Sequence, residues 1–323
     1  MTCMYVWKLN LRKFLPLIFL PFLIYGCGDR ETLKKVSLYT RAPVTGDDIK
    51  ESDAGSLKFG FDLRLGPKQE VRVYLPFLHY LEQNVGNSFS LRFTEKYEDT
   101  VENLGKGITQ FAALGPVNCV IAKKRYGAGC LVMGLNSDGK PEYRSVIFTR
   151  RDSPLHSLKD LKGKTFAFGD RFSTQGHVIP RKMLEDVGIT MEDLRAYVFT
   201  NSHANTARAV LNGEYDAGAI QDNLAKRLIN EGKIKILATS KPYPSSLICF
   251  NKEVDLVILK AVKTALLSFE PGGTHREFLV DWDTTEMPNG FTEYRERSLK
   301  EIEKLVDKYL GEAWVKQPSF PRR

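Results

Sequence analysis

The chain has 323 residues, 42% of them hydrophobic, and a formal net charge of +8. That apolar content supports one large or two moderate cores and excludes a disordered, collagen-like or coiled-coil chain. Acids and bases are interspersed, without basic runs or aromatic platforms, which excludes a nucleic-acid binder and suits a small anionic ligand.

Residues 1–27 read as a leader outside the fold. Lys8, Arg12 and Lys13 form a basic segment without an acid, and Phe14 to Tyr25 is an unbroken apolar run of 12. Twelve residues are too few to span a bilayer, and the pattern is that of a secretory signal. Ile24-Tyr-Gly-Cys27 closes the run and resembles a bacterial lipobox, with Tyr25 bulkier than the residue usual there. The expectation is cleavage before Cys27 and lipidation of its thiol. This would hold the protein on the periplasmic or cell-surface side of a bacterial membrane. Losing three bases and no acid leaves the mature part at +5.

Residues 28–55 are polar and mixed and read as a tether. Leu57 to Leu63 alternates as a strand, and Val71 to Val85 puts Val71, Tyr74, Leu75, Leu78, Leu81 and Val85 on one helical face. Strands follow at Phe89–Phe93, Phe111–Leu114 and Cys130–Met133, with helices at Tyr97–Leu104 and Val117–Tyr126. Tyr143–Thr149 is a strand taken as a first crossing. After it come strands at Thr165–Phe168, Ala196–Phe199, Asp216–Ile220 and Lys235–Ala238, with helices near 204–211 and 224–229. Pro242 to Phe250 reads as a return crossing, and amphipathic helices at Val254–Phe269 and Leu299–Leu310 complete the chain. Strand and helix alternate throughout, which predicts an α/β fold with βαβ units and mainly parallel sheets.

The informative stretch is Thr165 to Gly188. A buried strand ends at Gly169-Asp170, and apolar residues recur at helical spacing from about Val178, with Pro180 in the first turn and Gly188 as C-cap. Ser173-Thr-Gln-Gly-His177 therefore lies between a strand end and a helix start, where free N–H groups and the positive dipole end favour an anion. Taken alone, the stretch favours the plainer reading, in which Ser173 or Thr174 merely N-caps the helix.

Asp160-Leu-Lys-Gly-Lys-Thr-Phe-Ala-Phe-Gly-Asp170 followed by Ser-Thr-x-Gly-His-x-x-Pro resembles the phosphonate/phosphite/phosphate substrate-binding proteins of ABC transporters. So do Leu75 to Glu82, Leu114-Gly-Pro116 and Ser202 to Asp216, in the family's order over roughly Ser56 to Phe269. The resemblance implies a two-lobed type II periplasmic-binding-protein fold with the ligand cleft between the lobes. Lobe 1 would comprise residues 56–142 and 248–323, and lobe 2 residues 143–247. It implies a solute receptor that delivers a phosphorus oxyanion to an ABC permease, with no catalytic residue, metal or cofactor.

Laid on this chain, the family pattern implies that hydroxyls of Ser173 and Thr174, with backbone N–H groups of Gln175 and Gly176, hold the anion's oxygens. Gln175 is a departure, standing where Ser is frequent. Tyr97 and Tyr143 match cleft tyrosines, and His203 matches the cleft histidine. Where some members place acids for an ammonium group, the family pattern falls on Asn223 and Ser246 of this chain, which implies a ligand without an amino group: phosphite, a simple alkylphosphonate or phosphate. The acceptor for an acidic P–OH is left open between Asp170 and Asp222.

The residues leave two other readings open. A sensor lobe of the same fold would report the anion to a separate signalling partner. An enzyme would need a nucleophile site, and neither HExxH, a P-loop nor a Ser-His-Asp order occurs; Cys119 is the single candidate. Cys119, Cys130 and Cys249 cannot all pair within one chain and show no zinc spacing; they read as buried small hydrophobes, with one disulfide open to them in an oxidising compartment.

Overall fold

A computed structural model describes residues 55–311 apart from Leu65 and Glu95. The leader, Cys27 and the tether up to residue 54 lie outside the described residues. Among the described residues no helix is long and apolar enough to cross a membrane.

The first run of elements is β1 (Leu57–Phe61), α1 (Pro67–Val85), β2 (Phe89–Arg92), α2 (Tyr97–Gly105), β3 (Phe111–Leu114), α3 (Pro116–Tyr126) and β4 (Gly129–Gly134). Then come β5 (Glu142–Tyr143), β6 (Ser145–Arg150), β7 (Thr165–Phe168), α4 (Ile179–Glu185), β8 (Ala196–Phe199), α5 (His203–Leu211), β9 (Ala217–Gln221), α6 (Asp222–Asn230) and β10 (Ile234–Thr239). The chain closes with β11 (Tyr243–Pro244), β12 (Leu247–Phe250), α7 (Leu256–Leu267), β13 (Phe291–Glu293) and α8 (Lys300–Tyr309).

Two sheets result. One has the order β13-β4-β12-β3-β1-β2, the other β10-β6-β9-β7-β8. In the first, β1 pairs in parallel with β2 and β3, while β12 runs against β3 and β4, and β13 against β4. In the second, β7 is parallel to β8 and β9, and β6 runs against β9 and β10. Most strands in each sheet therefore share a direction, as βαβ crossovers require. The strands that run against their sheets include β6 and β12, the two that carry the chain from one sheet to the other. The crossings also touch directly: β5 and β11 form a two-stranded antiparallel ladder with Tyr143 opposite Tyr243.

Each sheet is covered on both faces, because successive side chains alternate. On β1, Phe59 and Phe61 face the layer of α1 and α7, where Tyr74 stacks on Phe61 at 4.8 Å and Phe77 packs tilted against Trp282 at 5.0 Å. On β3, Ala112 and Leu114 face the opposite layer, with α2, α3 and α8. In the second sheet Phe166 and Phe168 of β7 face the α4 side, while Ala167 faces α5 and α6.

Three details differ from the sequence reading. The buried face of α1 is centred on Val73, Phe77 and Leu81, leaving Leu75 52% exposed, because the aromatic cluster on β1 captures Tyr74 and Phe77. The expected strand Tyr143–Thr149 is broken at Arg144, whose N–H goes to Asp222 Oδ2 instead of a ladder. Finally, the three cysteines read as buried small hydrophobes have their sulfurs all within 4.8 Å of one another where α3, β4 and β12 meet. Cys119 is bonded to Cys130, and Cys249 is free and buried. The register of β12 places Cys249 opposite Cys130, a proximity no spacing rule reveals.

Candidate functional site

The parallel strands of both sheets end at one place, the usual location of ligand sites in such sheets. After β1 come Asp62 and Arg64; after β3, the start of α3; after β7, the 173–178 turn; after β8, the start of α5.

The turn after β7 is a π-helical turn, Thr174–Val178, leading into α4. Pro180 explains it. Proline has no N–H to return to the carbonyl of Gly176, so that oxygen accepts the N–H of Gly169 at 2.9 Å instead. The approach is so close that a Cβ on Gly176 would sit 2.9 Å from both Gly169 Cα and Ser173 Oγ. Ser173 Oγ accepts the N–H of Gly176 at 2.9 Å, so this hydroxyl caps the turn and that N–H is spent on it. Gln175 Nε2 donates to the carbonyl of Arg144 at 2.9 Å, and its own carbonyl accepts from Ser145 Oγ at 2.6 Å. The Gln175 side chain thus fixes β6 to the turn.

Thr174 points the other way. Its Oγ1 accepts the N–H of Val117 at 3.0 Å and bonds Tyr143. Val117 lies in the first turn of α3, whose N-cap is Gly115 and whose first residue is Pro116, so no side chain of its own caps it. A positive helix end of the first sheet therefore meets the turn of the second. The start of α5 makes a matching contact. Asn201 adopts the left-handed region (φ 67), Ser202 caps the helix by accepting from Asn205, and the N–H of Ala204 reaches the carbonyl of Arg64 at 3.4 Å. This delivers His203 to the same spot, with Nδ1 buried and unpartnered. Burial, helped by Arg64, pushes His203 down to about 3, so the imidazole is neutral at ordinary pH. His177, by contrast, packs behind the turn between Phe168 and Phe199, its Nδ1 on the carbonyl of Arg171.

Around these groups is a charged cluster that the sequence reading missed. Arg64 Nε lies 3.2 Å from Glu286 Oε2, and Nη2 lies 3.5 Å from Asp62 Oδ2 and 3.3 Å from Ser246 Oγ. Ser246 in turn donates to Glu286 Oε2 in a short contact, closing a ring of Arg64, Ser246 and Glu286. Asp62 is held by the N–H of Gly115 and by Asn118 Nδ2, both at 2.8 Å. Burial lifts Asp62 to about 7, against the pull of Arg64 and these hydrogen bonds. Arg64 is buried too, but Glu286 and Asp62 more than offset that and keep it charged.

Tyr97 begins α2 with its hydroxyl buried and unpartnered beside Arg64, and Tyr143 is 3% exposed beside Thr174. Burial pushes both phenols well above their ordinary range, so both remain neutral donors.

Tyr97, Tyr143, Thr174, His203 and Ser246 are thus brought together around Arg64, all nearly inaccessible, in a closed arrangement. Ser173, Gln175 and Gly176 build the turn that carries Thr174. Asn223 donates from Nδ2 to the carbonyl of Thr285 at 2.5 Å, the residue that precedes Glu286. The premise that two uncharged residues leave the site without a carboxylate also changes, since Glu286 supplies one directly on Ser246. Both acids considered for a P–OH already accept backbone N–H groups. Asp170 accepts from Phe172 and Tyr97 N–H groups, and Asp222 from Arg144 and Asn223 N–H groups. The missed residues had a signal of position: Asp62 and Arg64 are charges placed just beyond a strand of buried aromatics. Glu286 had none, because it is set by Trp282, whose ring enters the aromatic core and whose Nε1 ties to the carbonyl of Met287.

The comparisons with known proteins agree with this architecture. Residues 59–294 match the family described as ABC transporter, phosphonate, periplasmic substrate-binding protein. The chain is 29% identical over 174 residues to the phosphate-import protein PhnD of Mycolicibacterium smegmatis, covering 50% of this chain and 54% of that one. It is 25% identical over 190 residues to the phosphonates-binding periplasmic protein of Escherichia coli, covering 57% and 56%. The chain therefore spans about half the length of the relatives it matches. Among solved structures, PhnD1 of Prochlorococcus marinus in complex with methylphosphonate superposes with a TM-score of 0.73 at 18% identity, over 80% of this chain and 99% of that one. An ABC phosphonate transporter binding protein of Pseudomonas aeruginosa gives 0.72 at 18% identity, over 83% and 91%. These likenesses show a type II periplasmic-binding-protein fold, and with the family match over most of its length the chain belongs to the phosphonate substrate-binding proteins of ABC transporters.

Proposed function

We propose that the protein is an extracytoplasmic, lipid-anchored receptor that captures a phosphorus oxyanion (phosphite, a simple alkylphosphonate or phosphate) and delivers it to an ABC permease. In this reading residues 56–142 and 248–323 form one lobe and residues 143–247 the other. The paired crossings β5 and β11 are the hinge about which they open and close. Cys27 carries the lipid.

The observation that carries the reading is the convergence of unspent donors on one buried point. The Tyr97 hydroxyl and His203 Nδ1 have no partner among the described residues, and the Arg64 guanidinium and the start of α3 flank them. Buried polar groups are normally satisfied, so orphaned donors around a cation are what an anion completes. The ligand meets Thr174, Tyr143 and His203 of one lobe and Tyr97 of the other, and its presence stabilises the closed form.

The test is single substitution. Thr174→Ala and His203→Ala should each weaken binding of the preferred anion by about tenfold or more, the cost of one lost charge-assisted hydrogen bond. If both bind every phosphorus anion as the parent does, the cleft has been assigned to the wrong residues.

A further inference from the structure

We propose that Cys119, Cys130 and Cys249 form a thiol–disulfide exchange site. Cys119 is the shared sulfur, Cys249 the internal attacking thiol, and Cys130 the position that a small external disulfide modifies. The inference does not depend on what the cleft binds.

An odd set of cysteines always leaves a surplus thiol. Here the bond joins Cys119 of α3 to Cys130 of β4, and the thiol is Cys249 of β12. Cys249 Sγ lies 3.0 Å from Cys119 Sγ and 3.8 Å from Cys130 Sγ, so Cys119 is the nearer target. Exchange proceeds when a thiolate attacks one sulfur of a disulfide and displaces the other. Cys249 attacks Cys119 Sγ, the Cys119–Cys249 bond forms and the Cys119–Cys130 bond breaks. Cys130 leaves as a thiolate and takes up the proton that Cys249 gave up, so nothing is oxidised or reduced overall. The fold has little to move, because β4 and β12 are neighbouring strands with Cys130 opposite Cys249. Cys119 changes partner from one strand to the next.

The exchange changes where the surplus thiol sits. Cys119 and Cys249 are 1% and 0% exposed, whereas Cys130 is only half-buried. The register explains the difference: β13 covers β4 from Val132 to Gly134 and stops short of Cys130. Burial, with Asp62 adding to it, holds the Cys249 thiol well above its ordinary range. Since the thiolate is the nucleophile, Cys249 is inert toward reagents from outside and the internal exchange is slow. The thiol delivered to Cys130 is the reachable one. As a thiolate it attacks an external disulfide RSSR, forming Cys130–S–SR and releasing RS⁻. The Cys119–Cys249 bond then remains in the core.

Mapping thiols and disulfides in the purified, folded protein tests this. The protein is incubated with glutathione disulfide, or separately with N-ethylmaleimide, at about pH 8, quenched in acid, where exchange stops, and digested with pepsin without reductant. The parent should slowly take up about one equivalent on the Cys130 peptide, with Cys119 and Cys249 then linked to each other. Cys249→Ser removes the surplus thiol and should leave Cys130 unlabelled and bonded to Cys119. Cys130→Ser should carry a Cys119–Cys249 disulfide and take up no label. Label on Cys119 or Cys249 of the folded parent overturns the inference. So does a parent that takes up nothing over times in which a denatured sample labels fully, or a folded Cys130→Ser protein with two free thiols. If either variant does not fold, the position of the label and of the disulfide in the parent decides alone.

Discussion

The N–H of Val117 donates to Thr174 Oγ1 across 3.0 Å, joining the first turn of α3 on one sheet to the turn after β7 on the other. It is a contact between two positive helix ends, and a hydroxyl is a weak occupant for a place that an anion would fill. Thr174→Val keeps the volume and removes the acceptor, leaving a buried N–H unpaired at a cost of about 1–3 kcal/mol to the closed form. Thermal melting should show that loss and calorimetry a matching loss of ligand affinity, with Thr174→Ser restoring most of both. Equal behaviour of the valine and serine variants would contradict the contact.

Arg64 and Glu286 form a buried pair, and breaking such a pair from one side costs more than removing it whole. Arg64→Met strands two carboxylates and should destabilise by about 3–5 kcal/mol, the range for an uncompensated buried charge. Adding Glu286→Gln to it should recover part of that. Urea unfolding of the parent, both single variants and the double variant gives the coupling directly. Additive losses would mean that the two groups do not sense one another.

The pH dependence of stability separates into opposing parts. Asp62, raised to about 7 by burial, and Asp170, raised to about 6, bind protons in the folded state that the unfolded chain has released. Their contribution favours folding at low pH and is lost as pH rises from about 4 to 7. His203 and His177, lowered to about 3 and about 4, work the other way: they stay neutral in the folded state, so stability is lost as pH falls below 6.5. Asp62→Asn removes one part and leaves the rest. The stability of the variant relative to the parent should therefore climb with pH between about 4 and 7 and level off above 8. A constant difference across that range would show that Asp62 titrates normally.

Gly176 is required by contact, not conformation. Gly176→Ala drives a methyl against Gly169 Cα and Ser173 Oγ and should cost about 1–3 kcal/mol, with loss of ligand binding as the turn shifts. Gly272→Ala, where the nearest atom is 3.9 Å away, should be neutral. If the two variants melt together, the turn is looser than its geometry implies.

The order of strands and helices was legible in the sequence because both sheets are built from buried strands bounded by turn residues, and Thr165–Phe168 and Phe111–Leu114 fall where periodicity puts them. The helix-start turn at 173–177 was legible for the same reason. Pairing was not. Which strand lies beside which depends on contacts such as Cys249 opposite Cys130, between residues far apart in the chain. The turn's π-helical form follows from Pro180, but only once Gly169 is seen to take the carbonyl that Pro180 leaves free. Glu286 was hidden most deeply, since a glutamate in an irregular loop looks like solvent-facing charge until Trp282 is found anchoring it.

The central claim is that this closed cleft holds a phosphorus oxyanion, and calorimetry on the purified parent tests it most directly. Phosphite, methylphosphonate, phosphate, 2-aminoethylphosphonate and sulfate are titrated in turn. The account predicts tight, one-to-one binding of at least one phosphorus anion, with sulfate much weaker. Absence of heat from every phosphorus anion, with the protein folded, would contradict it.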